Sequence, residues 1–335
     1  MNHKTFAGKS FILVIPNDYG IYKLFNYNLE QLGFDLLPII PREFRYISIL
    51  DRLHHFYRKT FFKDRSRKKK LIKSFHSDCV GEKIKDLSAQ SIDYVLIIRP
   101  DMLDLKTLDQ LKKIGKKVVA YQWDGLERFP DVFSYIGLFE NFLVFDRQDF
   151  NRYKAKYANL RKSENFYFDF DRGGPNIHDS KMVYYVGSYI ADRSHDLIFL
   201  MQELEKYDLD FDVNLRHSSS KLPFEKKNIN FFKHNIDFEA NIGRLKKSRF
   251  LLDFKVAEHN GLSLRFFEAL KYEKKMITTN KSVMDYNFYD SQNVFILNHD
   301  DLNTLPQFIE SPYRPVPLET VEQYSFSHWL QKYVI

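Results

Sequence analysis

The 335-residue chain has one cysteine, Cys79, so it can form no intramolecular disulfide, and a cysteine-based metal site would lack partners. No uninterrupted apolar run reaches the ~18 residues needed to cross a bilayer, and the N-terminus has no signal-like apolar core. Several catalytic signatures are missing as well. There is no P-loop, no His-Glu-x-x-His zinc helix and no Gly-x-Ser-x-Gly nucleophile elbow. The 11 histidines are scattered. His54 and His55 are adjacent on a predicted helix and cannot face one metal together, and His217 and His259 matter only as loop residues. Asp208-Leu-Asp210 and Asp169-Phe-Asp171 have the spacing of a carboxylate metal motif but sit in no convincing loop. The expectation is a cytoplasmic protein without a bound metal or cofactor.

What is present is a folded chain, 44% hydrophobic and 28% charged, with 32 Phe and 21 Tyr to build cores. Its length is ample for two domains of roughly 150 residues each. The net charge of +7 is uneven. Nine Lys and Arg lie between Arg58 and Lys73 with Asp64 as the only acid, directly after Ile49, Leu50, Leu53, Phe56, Tyr57, Phe61 and Phe62. Three readings fit: a solvated face, a nucleic-acid patch, or the headgroup layer of an anionic leaflet, where each basic residue adds ~1 kcal/mol. No nucleic-acid-binding motif accompanies the run, so nucleic acid is not the expected partner. Arg65, Arg67, Lys68, Lys69 and Lys70 are the membrane-facing candidates.

The first half alternates strands and helices. Ser10–Pro16, Phe34–Ile40, Tyr94–Ile98, Lys117–Gln122 and Phe142–Phe145 read as buried strands, with helices at Ile21–Leu32 and Leu105–Ile114 and a helical basic stretch over Ile47–Ser88. A βαβ opening implies a parallel sheet. Strand after strand ends in an acidic turn, at Asp18, Asp101, Asp124 and Asp146. Ligands of open α/β sheets bind outside these carboxyl ends, although Asp is also what such turns prefer for their own geometry. Asp124, beside Trp123, leads as a catalytic carboxylate next to an aromatic surface for a sugar; Asp18 comes second.

Asn151–Pro175 reads as the connection between domains. A second alternation follows: strands at Met182–Val186, Phe211–Leu215, Ile229–Phe232, Phe250–Phe254, Met276–Thr279 and Val294–Leu297, and helices at Asp196–Tyr207, Phe238–Lys247 and Leu318–Tyr333. The expected layout is α/β, two Rossmann-like domains over 1–170 and 176–317 with a last helix over 318–335.

Between the strands at 250–254 and 276–279 lies a glycine turn and a short helix. At ~100° per residue Leu262, Phe266, Ala269 and Leu270 share one face, and Gly261, Arg265 and Glu268 another. A glycine admits close approach of a ligand, the free N–H groups of a first helical turn favour phosphate, and Arg265 can add a charged bond to it. Glu268, about 10 Å along the axis, can accept hydrogen bonds from ribose hydroxyls. The plain alternative is an i,i+3 ion pair on a solvated face.

The segment Asn260-Gly-Leu-Ser-Leu-Arg-Phe-Phe-Glu-Ala-Leu270, followed by Met276-Ile-Thr-Thr-Asn280, resembles the donor-binding segment of GT-B fold glycosyltransferases, above all bacterial capsule, exopolysaccharide and lipopolysaccharide enzymes. In many of them a glutamate sits where this chain has Asn260, which can bond a sugar hydroxyl but carries no charge. Tyr185-Val-Gly-Ser-Tyr-Ile-Ala-Asp-Arg193 resembles the first loop of the second GT-B domain, where a glycine admits the donor pyrophosphate and a nearby cation neutralises it. The resemblance implies that the two domains face a cleft and that the helix over 318–335 packs back on the first. It further implies donor-binding roles for Gly187, Arg193 and, more loosely, Arg216, with Ser263 and Asn260 near the sugar or phosphate. It also implies a metal-independent transferase using a nucleotide sugar, a UDP-sugar first, as co-substrate. The acceptor would be a saccharide or lipid-linked saccharide in the first domain. A non-catalytic sugar-nucleotide-binding subunit and a basic nucleic-acid-binding protein are the rivals.

Overall fold

A computed structural model describes residues 5–44, 66–219, 223, 224, 226–255 and 261–335, without the side chains of Ser66 and Asp192. The first sheet contains β1 (Ser10–Val14), β2 (Asp35–Ile39), β3 (Ile92–Ile98), β4 (Gly115–Gln122), β5 (Asn141–Val144) and β6 (Leu160–Lys162). Its strands run in the order β2-β1-β3-β4-β5-β6, each pairing parallel. The helices of this domain are α1 (Tyr22–Gln31), α2 (Ser66–Ile84), α3 (Leu105–Ile114), α4 (Phe133–Ile136) and α5 (Arg147–Tyr153). The second sheet contains β7 (Met182–Ser188), β8 (Asp210–Arg216), β9 (Ile229–Phe232), β10 (Phe250–Asp253), β11 (Lys275–Thr278) and β12 (Val294–Ile296). Its order is β12-β11-β10-β7-β8-β9, again parallel throughout. With it go α6 (Ala191–Leu204), α7 (Phe238–Lys246), α8 (Leu264–Lys271) and α9 (Leu305–Glu310), and the chain ends in α10 (Leu318–Glu322) and α11 (Phe326–Tyr333).

The inner strands carry apolar runs, such as Phe11–Val14, Val95–Ile98 and Phe250–Leu252, because helices cover both sheet faces. Ile12, Val14, Val95, Ile97 and Ala120 pack under Leu108 and Leu111 of α3, a helix started by Asp104, whose carboxylate accepts from Thr107 N–H at 2.8 Å. The opposite face of the first sheet belongs to a core continuous with the second domain. It runs from Phe11, Leu13 and Leu96 through Phe166 and Trp329 to Tyr184, Leu251 and Phe266.

The chain crosses back through α11. Trp329 Nε1 donates to Ser163 Oγ at 2.6 Å and its ring lies 5.3 Å from Tyr121, while Phe326 N–H donates to Tyr167 C=O at 2.8 Å. Asp171, in the connection, accepts from Lys246, from Lys271 at 3.1 Å, from Tyr272 OH at 2.6 Å and from Gly173 N–H at 2.9 Å. Among the described residues, no helix is long and apolar enough to cross a membrane.

Three elements differ from expectation. α6 begins at Ala191 rather than Asp196, because Leu197, Leu200, Met201 and Leu204 all bury and the turn before them adds helix at no cost to that face. β6 lies inside the supposed connection. It is an edge strand in which only Leu160 is buried, so it carries no apolar run. The terminal helix is two, broken where Ser325 caps α11 by accepting from His328 N–H at 3.2 Å.

Candidate functional site

Both sheets point their carboxyl ends at one cleft. In an open α/β sheet a crevice forms where strand order reverses, between β1 and β3 in the first domain and between β7 and β10 in the second. A cavity of about 530 Å³ lies between the domains, lined from the first by Asp18, Arg99, Trp123, Asp124, Arg128 and Phe129, and from the second by Phe238, Ser263 and Leu264. A smaller one of about 200 Å³ adjoins it at the second reversal, lined by Gly187, Ser188, Arg216, Asn235, Asn241 and Arg265. Tyr19 and Phe238 line both and so stand between them.

In the larger cavity the two candidate carboxylates behave differently. Asp124 is held by Arg99 at 3.1 Å and Arg128 at 2.8 Å. Arg99 is itself bound through Nε and Nη2 to Asp101 at 2.8 Å each, and its guanidinium lies 3.7 Å above the Phe129 ring. Asp124 was expected to lead, but its two oxygens are already bonded to the two arginines, so of the two candidates Asp18 is the one open to an acceptor. Asp18 opens into the cavity. Crowding by the cleft walls pushes its carboxyl above the ordinary range, Asp124 adds to this, and Arg99 and Arg128 oppose it. Arg99, which carries this network, was not singled out in the sequence. Its backbone is left-handed (φ 60°, ψ 62°), a strained state for a non-glycine residue and one that gathers at functional sites. The only hint was the strand end Arg99-Pro-Asp101, read there for its acid alone.

The second domain brings Gly187, Arg216 and Arg265 together but divides their roles. Ser188 and Arg216 are partners in the β7–β8 register, which sets Arg216 at the carboxyl end of β7 next to Gly187. Gly187 is a strand residue rather than the turn expected, and its missing Cβ makes room for Tyr185 OH. The Arg216 side chain has no hydrogen-bond or ion-pair partner among the described residues, and its Nε is buried without one. Arg265, expected at a phosphate, is instead committed to the sheet. Its Nη2 donates to Val186 C=O at 2.7 Å, and its Nη1 to Leu252 C=O at 3.0 Å and Asp253 at 3.2 Å, tying β7 to β10. Ser263 donates to Asp253 at 2.9 Å from the edge of the larger cavity.

Gly261 also differs from expectation. A Cβ there would collide with the Phe145 ring, so its missing side chain lets the two domains touch, rather than leaving room for a ligand. Arg193 lies against Tyr185 and Phe254 in a crevice behind α6, outside both cavities. Glu268 is on the face of α8 expected for it, yet it is 5% exposed and lines neither cavity. Its Oε1 is buried with no partner, and burial pushes its pKa up to about 7 against the pull of Arg265 and Lys271. Asn260 and Arg65 lie outside the described residues, as do His54, His55 and His259. Arg67 is half-buried at the start of α2, whereas Lys68, Lys69 and Lys70 are exposed. Among the described residues no group of three or more His, Cys, Asp or Glu is placed to hold a metal.

No protein-family model and no curated protein matches the chain in sequence. Solved structures do match. Over 97% of its length the chain superposes on a sucrose-phosphate synthase from Thermosynechococcus elongatus, covering 97% of that chain at a TM-score of 0.56 and 10% identity. It superposes equally on an α,α-trehalose-phosphate synthase (UDP-forming) from Burkholderia vietnamiensis, covering 98% of it at a TM-score of 0.56 and 8% identity. The fold is GT-B. A third GT-B likeness is an α-glucosyltransferase solved in complex with UDP and a 13-mer DNA, at a TM-score of 0.50, 12% identity and 98% coverage of that chain. At such identities the likeness is one of fold, and it takes in both domains and α11.

Proposed function

We propose that the chain is a glycosyltransferase that moves a sugar from a nucleotide-sugar donor to a saccharide acceptor. The observation that carries this is Arg216, a cation with no hydrogen-bond or ion-pair partner among the described residues, at the carboxyl end of β8 and facing a cavity that opens onto a second, carboxylate-bearing cavity across the GT-B cleft. A guanidinium left free at a strand end in a cleft suits a diphosphate. The nucleoside then extends toward Asn241 and Asn235, which line that cavity and can bond its hydroxyls or base. A UDP-sugar is the first choice, since one structure of this fold was solved with UDP and another is named UDP-forming.

The acceptor sugar lies in the larger cavity against Trp123, Phe129 and Tyr19, with its hydroxyl at Asp18. In an inverting displacement Asp18 takes the hydroxyl proton as the acceptor oxygen bonds to the anomeric carbon; in a retaining one it orients the hydroxyl. Arg216 neutralises the diphosphate as it leaves, a charge-stabilising role that needs no metal. Asp124, held between its arginines, keeps Arg99 and Arg128 in place around the acceptor.

The acceptor we infer is a growing bacterial surface polysaccharide, capsular or lipopolysaccharide, or its lipid-linked precursor, met at the inner face of the cytoplasmic membrane. Lys68, Lys69 and Lys70 are exposed in the first turns of α2, where cations oppose the helix dipole and do nothing for folding. α2 packs against residues 100–102, directly after Arg99, and Lys73 bonds Tyr135 OH at 2.6 Å, so this basic end stands near the acceptor side. The test is release of nucleoside diphosphate from UDP- and GDP-sugars with saccharide acceptors, in EDTA. We expect release with one donor, reduced on the order of 10²-fold or more in Asp18→Asn. Binding without release from any donor would favour the non-catalytic subunit.

A further inference from the structure

The loop that carries Asp18 is held from both domains: within its own, Asp18 C=O accepts from Ile21 N–H at 3.2 Å and Gly20 C=O from Lys23 N–H at 3.0 Å. Tyr19 and Gly20 are consecutive residues in left-handed backbone (φ 55° and 70°), and only the glycine takes that state freely. Further restraints on them come from across the cleft. Tyr19 C=O accepts from Phe238 N–H at 2.8 Å, the first residue of α7. Lys23 Nζ meets Asp237 Oδ2 at 2.6 Å, and the same Asp237 caps α7 by accepting from Glu239 N–H at 3.1 Å. Gly20 lies so close beneath the Asp237 carboxylate that a Cβ there would overlap it. α7 also presents Phe238 and Asn241 to the nucleotide-side cavity. One helix end therefore touches both the carboxylate loop and the donor side.

We propose that Lys23 and Asp237 are positioning residues, forming a latch through which the donor domain sets the placement of Asp18 in the acceptor cavity. The pair is partly exposed, at 45% and 36%, as a contact that opens and closes must be, and Tyr19 moves with it as the wall between the two cavities. Without the latch the left-handed Tyr19–Gly20 turn keeps only its own backbone bonds, and Asp18, already exposed at the cavity mouth, moves away from the cleft walls. That Asp18 faces an acceptor rests on the transferase reading; that the latch places Asp18 does not.

The experiment therefore needs no substrate. Asp18 is titrated by carboxyl-carbon NMR, assigned with Asp18→Asn, in the full-length wild type and in Lys23→Met, Asp237→Asn and Lys23→Arg. The charged groups facing Asp18 are Arg99, Asp124 and Arg128. In the wild type its pKa lies above the ordinary 3.8 through crowding in the cleft. Both latch-breaking variants should bring it down toward that value, and Lys23→Arg should keep it up. The direction discriminates, because removing the Lys23 charge alone would push a carboxylate up. An Asp18 titration unmoved or raised in Lys23→Met overturns the latch and leaves the transferase reading standing. Once a donor and acceptor pair is in hand, Lys23→Met should lower kcat on the order of 10²-fold with the dissociation constant for UDP unchanged. A loss confined to UDP affinity would instead assign Lys23 to donor binding and overturn the positioning role.

Discussion

Replacing Glu268 with Gln should become steadily more favourable for stability as pH rises. The carboxyl is buried, its Oε1 lacks a partner, and its pKa is about 7 in the fold against 4.5 when solvated. A pKa raised on folding means the native state prefers the proton, so the stabilisation is full below pH 4.5 and is lost as pH rises through about 7. The gap is about 2.5 units, and at about 1.36 kcal/mol per unit the wild type forfeits about 3 kcal/mol across that window. Gln has the same shape and never ionises. Its own offset in packing or hydrogen bonding is constant with pH, so the slope carries the information. Urea unfolding of both proteins followed by circular dichroism at pH 4.5, 5.5, 6.5 and 7.5 gives the difference directly. Glu268→Gln should gain on the wild type by about 3 kcal/mol from the lowest pH to the highest. A difference that stays flat would mean that Glu268 is charged and satisfied in the fold, and the placement of the free Oε1 would be wrong.

Other outcomes follow from the packing. Trp329→Ala removes the side chain by which α11 holds the first domain, buried to 2% and bonded to Ser163, and should cost about 3–5 kcal/mol in urea unfolding. Gly261→Ala should cost about 1–3 kcal/mol by driving a methyl into Phe145, and trimming that ring in Gly261→Ala/Phe145→Leu should recover part of it. Burial opposes the charge on Asp171, but bonds from Lys246 and Tyr272 and the charge of Lys271 outweigh it and hold the carboxyl well below the usual range. Asp171→Asn should thus cost about 3 kcal/mol or more at neutral pH, by leaving buried lysines unpaired, and the penalty should shrink as pH falls below 3.8.

The α/β alternation was readable because both sheets are parallel and buried, so the inner strands carry apolar runs such as Phe250–Leu252. The edge strand β6 was not, since one buried Leu160 makes no pattern. The α8 stripe was correct in its buried face, Leu262, Phe266, Ala269 and Leu270, because helical period alone determines which residues share a side. What period cannot tell is which neighbour a polar face meets. Arg265 met the carbonyls of β7 and β10, and Gly261 met Phe145, a residue 116 positions earlier in the chain. Asp124 looked free because Arg99 reaches it only once β3 and β4 lie side by side, while Arg128, a local partner four residues on, was passed over. The contact between Lys23 and Asp237 spans 214 residues and has no local signal at all.

The most direct test of the account is calorimetric titration of UDP, GDP and CMP into the wild-type chain and Arg216→Ala, in EDTA. A donor cavity built around that unpaired guanidinium predicts saturable binding of one nucleotide, UDP first, weakened about tenfold or more in Arg216→Ala, a loss of about 1.4 kcal/mol or more. No binding of any nucleotide, or binding indifferent to Arg216, would contradict it.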